Sequence, residues 1–230
     1  MKLTWLSHGS WMIEINHHRV LLDPFFTDNP AAQVTADDFD NISHILVSHG
    51  HLDHVADVAS IARRCDALVV ANFEIANWFT KHHGVEKTQP MNLGGWVALP
   101  FGRVQLTPAL HSSGLPDGSY GGTAGGFLIE TPEVRAYFAC DTALFSDMRL
   151  ITRGEIDVAV LPIGDLFTMG PVDSIEAIQM IEPKKVLPAH YNTWPPIEQD
   201  TEHWAERVRE STEAEPVVLA VGESITIAGS

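Results

Sequence analysis

The residues with the clearest chemical potential lie together in Ser48-His49-Gly50-His51-Leu52-Asp53-His54, where four metal-capable side chains fall within six positions in the order His-x-His-x-Asp-His. Neutral imidazole and carboxylate are ordinary ligands for zinc and its neighbours. If the stretch begins extended, His49 and His51 share a face, because alternate residues of an extended chain do. Asp53 and His54 follow where the chain turns, so they can aim at a second point. Four ligands do not close two sites, so later residues must complete them. Chance clustering accounts for one or two histidines, not for this order directly after the apolar run Ile45-Leu46-Val47.

The elements that position these residues read as strands and helices in alternation. Strands are expected over 2–7 and 10–16, broken at His8-Gly9, and over 19–22, ended by Asp23-Pro24. A long loop follows to Asp40, and its acidic residues Asp37, Asp38 and Asp40 read as a solvated face. A buried strand over 42–47 delivers the histidine-rich motif, and a helical pattern over 55–64 leaves it. After a strand over 67–71, Asn72 reads as the cap of a helix through Lys81 with Phe73, Ala76 and Phe79 as its core stripe; Gly84 ends it. Hairpin strands are expected over 96–99 and 103–110. A glycine- and serine-rich loop over 112–123 has the mobile composition of a substrate-facing segment. Strands over 125–130 and 134–139, a helix over 145–152, a strand over 157–161 and a helix from Asp173 to Pro183 come next. A strand over 185–187, a helix over 201–209 and final strands over 216–221 and 224–227 complete the chain.

One pattern recurs: apolar strands run into ligand-capable residues at His49, His111, Asp141 and His190. With the motif, the candidate set becomes the histidines 49, 51, 54, 111 and 190 with the aspartates 53 and 141. Seven protein ligands and a bridging solvent make each of two cations four- or five-coordinate, with positions open for substrate.

Composition narrows the function classes. The 230 residues suit one domain, 1–230, able to bury a large core. A formal net charge of -16 argues against broad affinity for nucleic acid or anionic membrane. Two distant cysteines, Cys65 and Cys140, make no disulfide framework. No apolar run is long enough to span a bilayer, and the first residues lack a signal-peptide core, so a cytoplasmic protein is the expectation.

The motif together with Trp5 to Ser10 (WLSHGS), Leu22 to Phe25 (LDPF), Asp141 to Phe145 (DTALF), Leu161 to Asp165 (LPIGD) and Ala189 to Thr193 (AHYNT) resembles the metallo-β-lactamase superfamily over nearly the whole chain. Within it the chain looks most like small metal-dependent hydrolases related to ascorbate-6-phosphate lactonase and the N-acyl-phosphatidylethanolamine phospholipases. The resemblance implies an α+β fold, a four-layer αββα sandwich with the metals along one edge of the sheets. It implies that His49, His51 and His111 hold one metal, that Asp53, His54 and His190 hold the other, and that Asp141 bridges. Cys140 stands where the family often has glycine, and it is expected to point away from the metals. No nuclease-type domain is inserted.

Asp53, His8 and Asp165 are the candidate catalytic residues, His8 because the subgroup places this loop near the site and Asp165 because it follows a buried strand. Asp57 is expected either to orient a ligand imidazole or to favour a helix N-terminus, and Tyr191 and Asn192 to steady an oxyanion. Two divalent ions, zinc before manganese or iron, would supply hydroxide near neutral pH and polarise the substrate. The expected reaction is hydrolysis of a small anionic ester, lactone or phosphodiester. The alternatives are an iron-dependent oxidoreductase or dioxygenase of the same fold, or a metal-binding protein without turnover. A homo-oligomer is compatible with all three.

Overall fold

The computed structural model describes residues 1–151 and 153–229. The first half of the chain builds one sheet from β1 (Lys2–Trp5), β2 (Trp11–Ile15), β3 (His18–Leu22), β4 (His44–Val47), β5 (Leu68–Asn72) and β6 (Thr88–Met91). The second half builds another from β7 (Trp96–Leu99), β8 (Gly102–Pro108), β9 (Gly125–Glu130), β10 (Arg135–Phe138), β11 (Ile156–Pro162), β12 (Pro183–Ala189) and β13 (Glu215–Pro216). The last strand, β14 (Ser224–Thr226), returns to the first sheet and pairs with β1. Each sheet is antiparallel over its earlier strands and parallel over its later ones.

Side-chain alternation decides which face each strand buries. Trp11, Ile13 and Ile15 of β2, Val20 and Leu22 of β3, Leu46 of β4 and Val70 of β5 join the core between the sheets. Their neighbours Met12, Leu21, Ile45, Val47, Val69 and Ala71 pack instead with α2 (Val58–Cys65) and α3 (Phe73–His83), beyond the four-residue α1 (Leu52–Val55). On the second sheet, α5 (Pro171–Ile181) and α6 (Thr201–Ser211) pack through Ile175, Ile178, Trp204 and Val208, with the short α4 (Met148–Ile151) beside them. Helices therefore cover both outer faces of two stacked sheets, and the expected single-domain αββα sandwich is what the chain forms.

Several boundaries differ from expectation for identifiable reasons. The helix over 55–64 is broken at Asp57, whose carboxylate accepts the Phe26 and Thr27 N–H groups and the Thr27 hydroxyl. Asp57 thus fastens the 25–27 loop; it makes no side-chain cap bond to α2 and none to a motif histidine among the described residues. β6 went unread because Pro90 lies inside it, and proline is tolerated there only because the strand is an edge. The strand over 216–221 stops after Pro216, and the chain crosses to the other sheet through Gly222 at φ 83°. Pro171, not Asp173, begins α5. Of the helix over 145–152 only Met148–Ile151 is helical, and Thr152 lies outside the described residues. Asn72 caps α3 as expected by accepting from the Ile75 N–H, but Phe73 is exposed rather than part of the core stripe.

Parallel pairing sets the site's location, because it brings the C-terminal ends of β10, β11 and β12 to one edge. The two sheets are joined at that edge by Gly125 N–H to Ser48 O and His190 N–H to His8 O, at 3.1 Å each. Since the inter-sheet core carries this arrangement, Phe127→Ala, which empties a fully buried position within it, is expected to lower unfolding stability by about 3–5 kcal/mol. Urea denaturation followed by circular dichroism measures this; a loss under about 1 kcal/mol would mean that the sheets do not depend on this packing.

Candidate metal centre

All seven residues expected as ligands converge. β4 hands the chain to His49, and α1 begins one residue after His51, which carries Asp53 and His54 inward. His111 follows the exit of β8, held by Leu110 N–H to the Thr142 hydroxyl and Ala143 N–H to Leu110 O. Those two bonds place it beside Asp141, which follows β10; His190 follows β12.

The donor atoms form two groups with one carboxylate between them. Nε2 of His49 lies 3.0 Å from Nδ1 of His51, which lies 3.2 Å from Nε2 of His111. Nitrogens around a tetrahedral zinc at ordinary bond lengths are about 3.3–3.4 Å apart, close to this spacing. The other group is Asp53, His54 and His190, with Nε2 of His54 3.7 Å and Nε2 of His190 3.8 Å from Asp53 Oδ2. Asp141 Oδ2 is 3.0 Å from His190 Nε2, 3.3 Å from His54 Nε2, 3.7 Å from His111 Nε2 and 3.9 Å from His49 Nε2. One oxygen thus faces nitrogens of both groups.

The hydrogen bonds behind the imidazoles determine which nitrogens offer lone pairs. The buried carboxylate of Asp23 can only accept. It takes the Ser48 N–H at 2.8 Å, the Ser48 hydroxyl proton, and Nδ1–H of His54 at 2.9 Å. Having donated its proton, Ser48 Oγ must accept from Nδ1–H of His49, 2.9 Å away. Nδ1 of both His49 and His54 is therefore the donor nitrogen behind the cluster, and Nε2 of both is turned into it. Nε2 of His54 is buried and faces Asp141 Oδ2 at 3.3 Å, where a bound cation would take the place of its proton. Among the described residues Nδ1 of His190 also lacks a hydrogen-bond partner and is buried; His190 lines a small cavity of about 10 Å3 with Trp11, whose Nε1 is in the same condition. The donor set, neutral imidazoles with two carboxylates, fits divalent first-row cations.

Electrostatics agree with this division. Burial pushes His49, His51 and His111 below the ordinary histidine range, into the neutral form that ligates. Against burial, Asp141, Asp53 and Asp23 hold His54 well above it, and Asp141 holds His190 up to about 9. In turn, His190 and His54 hold Asp141 well below the carboxylate range although burial opposes this. Without cations, protons on these two histidines balance the carboxylates.

The remaining expected residues fall in different places. His8 is wholly buried and is not among the residues that line the open cavity. Burial, then His190, lowers it to about 4, so it is neutral: Nε2–H donates to Asp53 Oδ2 at 3.0 Å and Nδ1 accepts from Thr193 at 2.8 Å. Asp165 is exposed and accepts its neighbour's Leu166 N–H; among the described residues it makes no bond to the cluster. Tyr191 stacks on Trp5 with centroids 4.9 Å apart, and Asn192 accepts the Gln199 N–H, so neither faces the donors. The Cys140 thiol reaches the Phe138 carbonyl and shares no donor group with the cluster. Asp23, Ser48 and Thr193 were not singled out from sequence, although Asp23 sits in the strand-ending Asp-Pro pair and Ser48 adjoins His49. The 112–123 loop is tied down rather than free, by Gly50 N–H to Ser113 Oγ, Asn72 to the Gly121 and Thr123 carbonyls, and Trp78 to Asp117.

The donors open into a cavity of about 540 Å3, where His51, Asp53, His111, Ser112, Asp141 and His190 form the polar side.

Comparison with known proteins agrees in extent. Residues 18–191 match the family model described as Beta-lactamase superfamily domain. A UPF0173 metal-dependent hydrolase of Methylacidiphilum infernorum is 43% identical over 228 residues, 99% of this chain and 100% of that protein. One from Bacillus cytotoxicus is 46% identical, again over 99% of this chain and 100% of that protein. Among solved structures, Igni18, a metallo hydrolase from Ignicoccus hospitalis, superposes with a TM-score of 0.87 at 31% identity, covering 97% of each chain. An isothiocyanate hydrolase from Delia radicum gut bacteria superposes at 0.81 with 19% identity over 100% of both chains, which is a likeness of fold.

The tautomer argument is testable at Asp23. Asparagine there must turn an N–H2 either toward Ser48 N–H or toward the Ser48 hydroxyl and His54 Nδ1–H, so one donor always meets another. Asp23→Asn is expected to weaken metal affinity about 10–100-fold while the circular dichroism spectrum is kept. Competition against a chromophoric chelator measures it; unchanged affinity would remove Asp23 from this role.

Proposed function

The chain belongs to the β-lactamase superfamily domain family and, within it, to the UPF0173 metal-dependent hydrolases, and from that premise we propose that it hydrolyses a small ester, lactone or phosphodiester at a dinuclear metal centre. The observation that carries this reading is Asp141 Oδ2 standing between two groups of ligand nitrogens beside an open cavity. In it, His49, His51 and His111 would hold one cation and Asp53, His54 and His190 the other, with Asp141 available to both. Zinc is the first expectation, and the same donors suit manganese or iron. Bound there, such cations lower the pKa of a coordinated water toward about 7 and polarise the oxygen of the group under attack.

The chain's own residues supply orientation and proton handling. His8 takes one oxygen of Asp53 and, itself braced by Thr193, fixes the carboxylate's plane. No protein group among the described residues bonds the other oxygen, Oδ1, and the carboxylate is partly open to the cavity. Asp53 can therefore accept the proton released as water adds to the acyl carbon or phosphorus, and return it to the leaving oxygen as that bond breaks. Ser112 Oγ, 3.2 Å from His51 Nε2, steadies the outer nitrogen of that imidazole. The sequence likeness to the lactonase and phospholipase subgroup makes a lactone and a phosphodiester the first substrates to try.

Metal analysis after mild dialysis is expected to give about two ions per chain. Chelation should abolish turnover and zinc or manganese restore it; equal activity of the metal-depleted protein would overturn the reading.

Asp141→Asn keeps the shape but removes the charge that offsets cation–cation repulsion. It is expected to weaken both positions and to cut turnover at least about 100-fold, whereas His54→Ala should empty mainly one. Metal titration separates the two, and two tightly held ions in Asp141→Asn would exclude it as the bridge.

A further inference from the structure

The cavity has a second side that the proposed reaction does not use. Opposite the ligands it is lined by Phe167, Trp194, Pro196 and Ile197, and among the described residues no lysine or arginine lines it. Resting on the hydrolase reading above, we propose that the substrate carries a bulky, uncharged alkyl or aryl group that seats against Phe167, Trp194 and Pro196, which the buried Ile197 backs, and that substrates with a second, distal anionic group are disfavoured.

Both segments that form this side are held rigidly against the ligands. The 164–169 loop leaves β11 so close to His190 that a Cβ on Gly164 would lie 2.1 Å from the His190 carbonyl oxygen. Its far end is fixed by Met169 N–H to Thr142 O, next to Asp141, and Asp165 N–H closes the loop on Met169 O. Between those anchors Asp165 and Leu166 both take positive φ, 61° and 53°, an unusual conformation for leucine. The result is Phe167, 56% exposed, displayed in water over the cavity. The 194–197 turn is tied to the same loop, since Gln199 donates to Gly164 O and Asn192 N–H donates to Ile197 O. Trp194 is braced edge-on by His8, centroids 4.9 Å apart, and by Phe25 at 6.0 Å. An apolar surface that is exposed, pre-formed and adjacent to reactive groups is what a binding pocket offers an apolar ligand.

Charge supports the same choice. Among the described residues, seven lysines and arginines pair with carboxylates away from the cavity: Lys2 with Glu14, Arg64 with Asp37, Lys87 with Asp66, Arg103 and Arg135 with Glu130, Lys184 with Asp157 and Lys185 with Glu215. Because no lysine or arginine among the described residues lines the cavity, a negative charge away from the metal centre would lie against aromatic and aliphatic carbon without a hydrogen-bonding cation, a costly arrangement.

The test uses the zinc-loaded full chain and alkyl hydroxamates as probes, with affinity read by calorimetry and turnover read separately. Hexanohydroxamate is expected to bind at least about tenfold tighter than acetohydroxamate, by burial of its added methylenes, and the monohydroxamate of succinate should bind weaker than the uncharged chain of equal length. Phe167→Ala should remove most of the chain-length gain, and Phe167→Lys should shift preference toward the carboxylate-ended probe. Equal affinity along the series, tighter binding of the carboxylate-ended probe by the unaltered chain, or no binding at all would overturn the proposal. If esters are turned over with no chain-length preference in binding or rate, the apolar seat is wrong and the hydrolase reading stands. If the hydroxamate preference appears but no ester, lactone or phosphodiester is turned over, the seat stands and the hydrolase reading falls.

Discussion

A carboxylate buried without a lysine or arginine beside it is expensive, and Asp23 is one. Burial pushes its pKa up, and only the bonds from His54 and Ser48 oppose this. Those bonds require β3 and β4 to end together, as their parallel register with Leu22 opposite Leu46 provides, and Asp23 N–H closes on Leu46 O. They also require His54 to come inward past Gly9, where a Cβ would lie 3.0 Å from the imidazole. The contacts that make Asp23 tolerable are thus the ones that turn Nε2 of His49 and His54 toward the centre. Strand register, the glycine of the first turn and ligand tautomer answer to a single buried group.

The edge that carries the centre is built from conformations most residues avoid. Ser7, His8, Asp23, Cys140 and His190 all have positive φ, at 92°, 51°, 44°, 54° and 54°. None is glycine, and each lies where a strand gives way to a residue of the site or its support. Such backbone costs about 1–3 kcal/mol per position and persists only where surrounding structure over-determines it. Here the surrounding structure is the inter-sheet core, anchored at this end by Trp5, Trp11, Phe138 and Tyr191. The left-handed turn at each strand end lets the chain reverse at once, so donors from different strands meet within a few ångströms.

How much of this was legible follows from where the signal lives. The apolar runs of β2 to β5 and the caps at Asn72 and Gly84 are local, and they mark the elements in the sequence. The ligand-type residues were legible because each follows an apolar run, and their convergence needs only that the strands be parallel. What escaped detection depends on partners distant in sequence. Asp23 serves residues 25 and 31 positions away, and Asp57 fastens a loop 30 positions before it. His8 was legible as a residue near the site, but its bond to Asp53 and the packing of Trp194 over it from the far end of the chain are not written in its local sequence. β6 was hidden by Pro90, since edge position is a property of the assembled sheet.

The site's charge and the substrate's charge are separate questions. Two divalent cations, if held as proposed against the carboxylates of Asp53 and Asp141, would leave a positive centre, and from sequence that suggests an anionic substrate. A positive centre is needed for another reason, however: charge develops on the attacked oxygen during ester or phosphoryl hydrolysis, and stabilising it there is what accelerates the step. That requirement ends within a few ångströms of the reacting atom. Beyond it, recognition depends on what lines the rest of the cavity, and there the chain presents Phe167, Trp194, Pro196 and Ile197. An acidic protein of net charge -16 also repels anions at long range, a modest effect at physiological salt that still disfavours multiply charged substrates. The same cavity can therefore stabilise an anion that forms within it and select against one that arrives already charged at its far end.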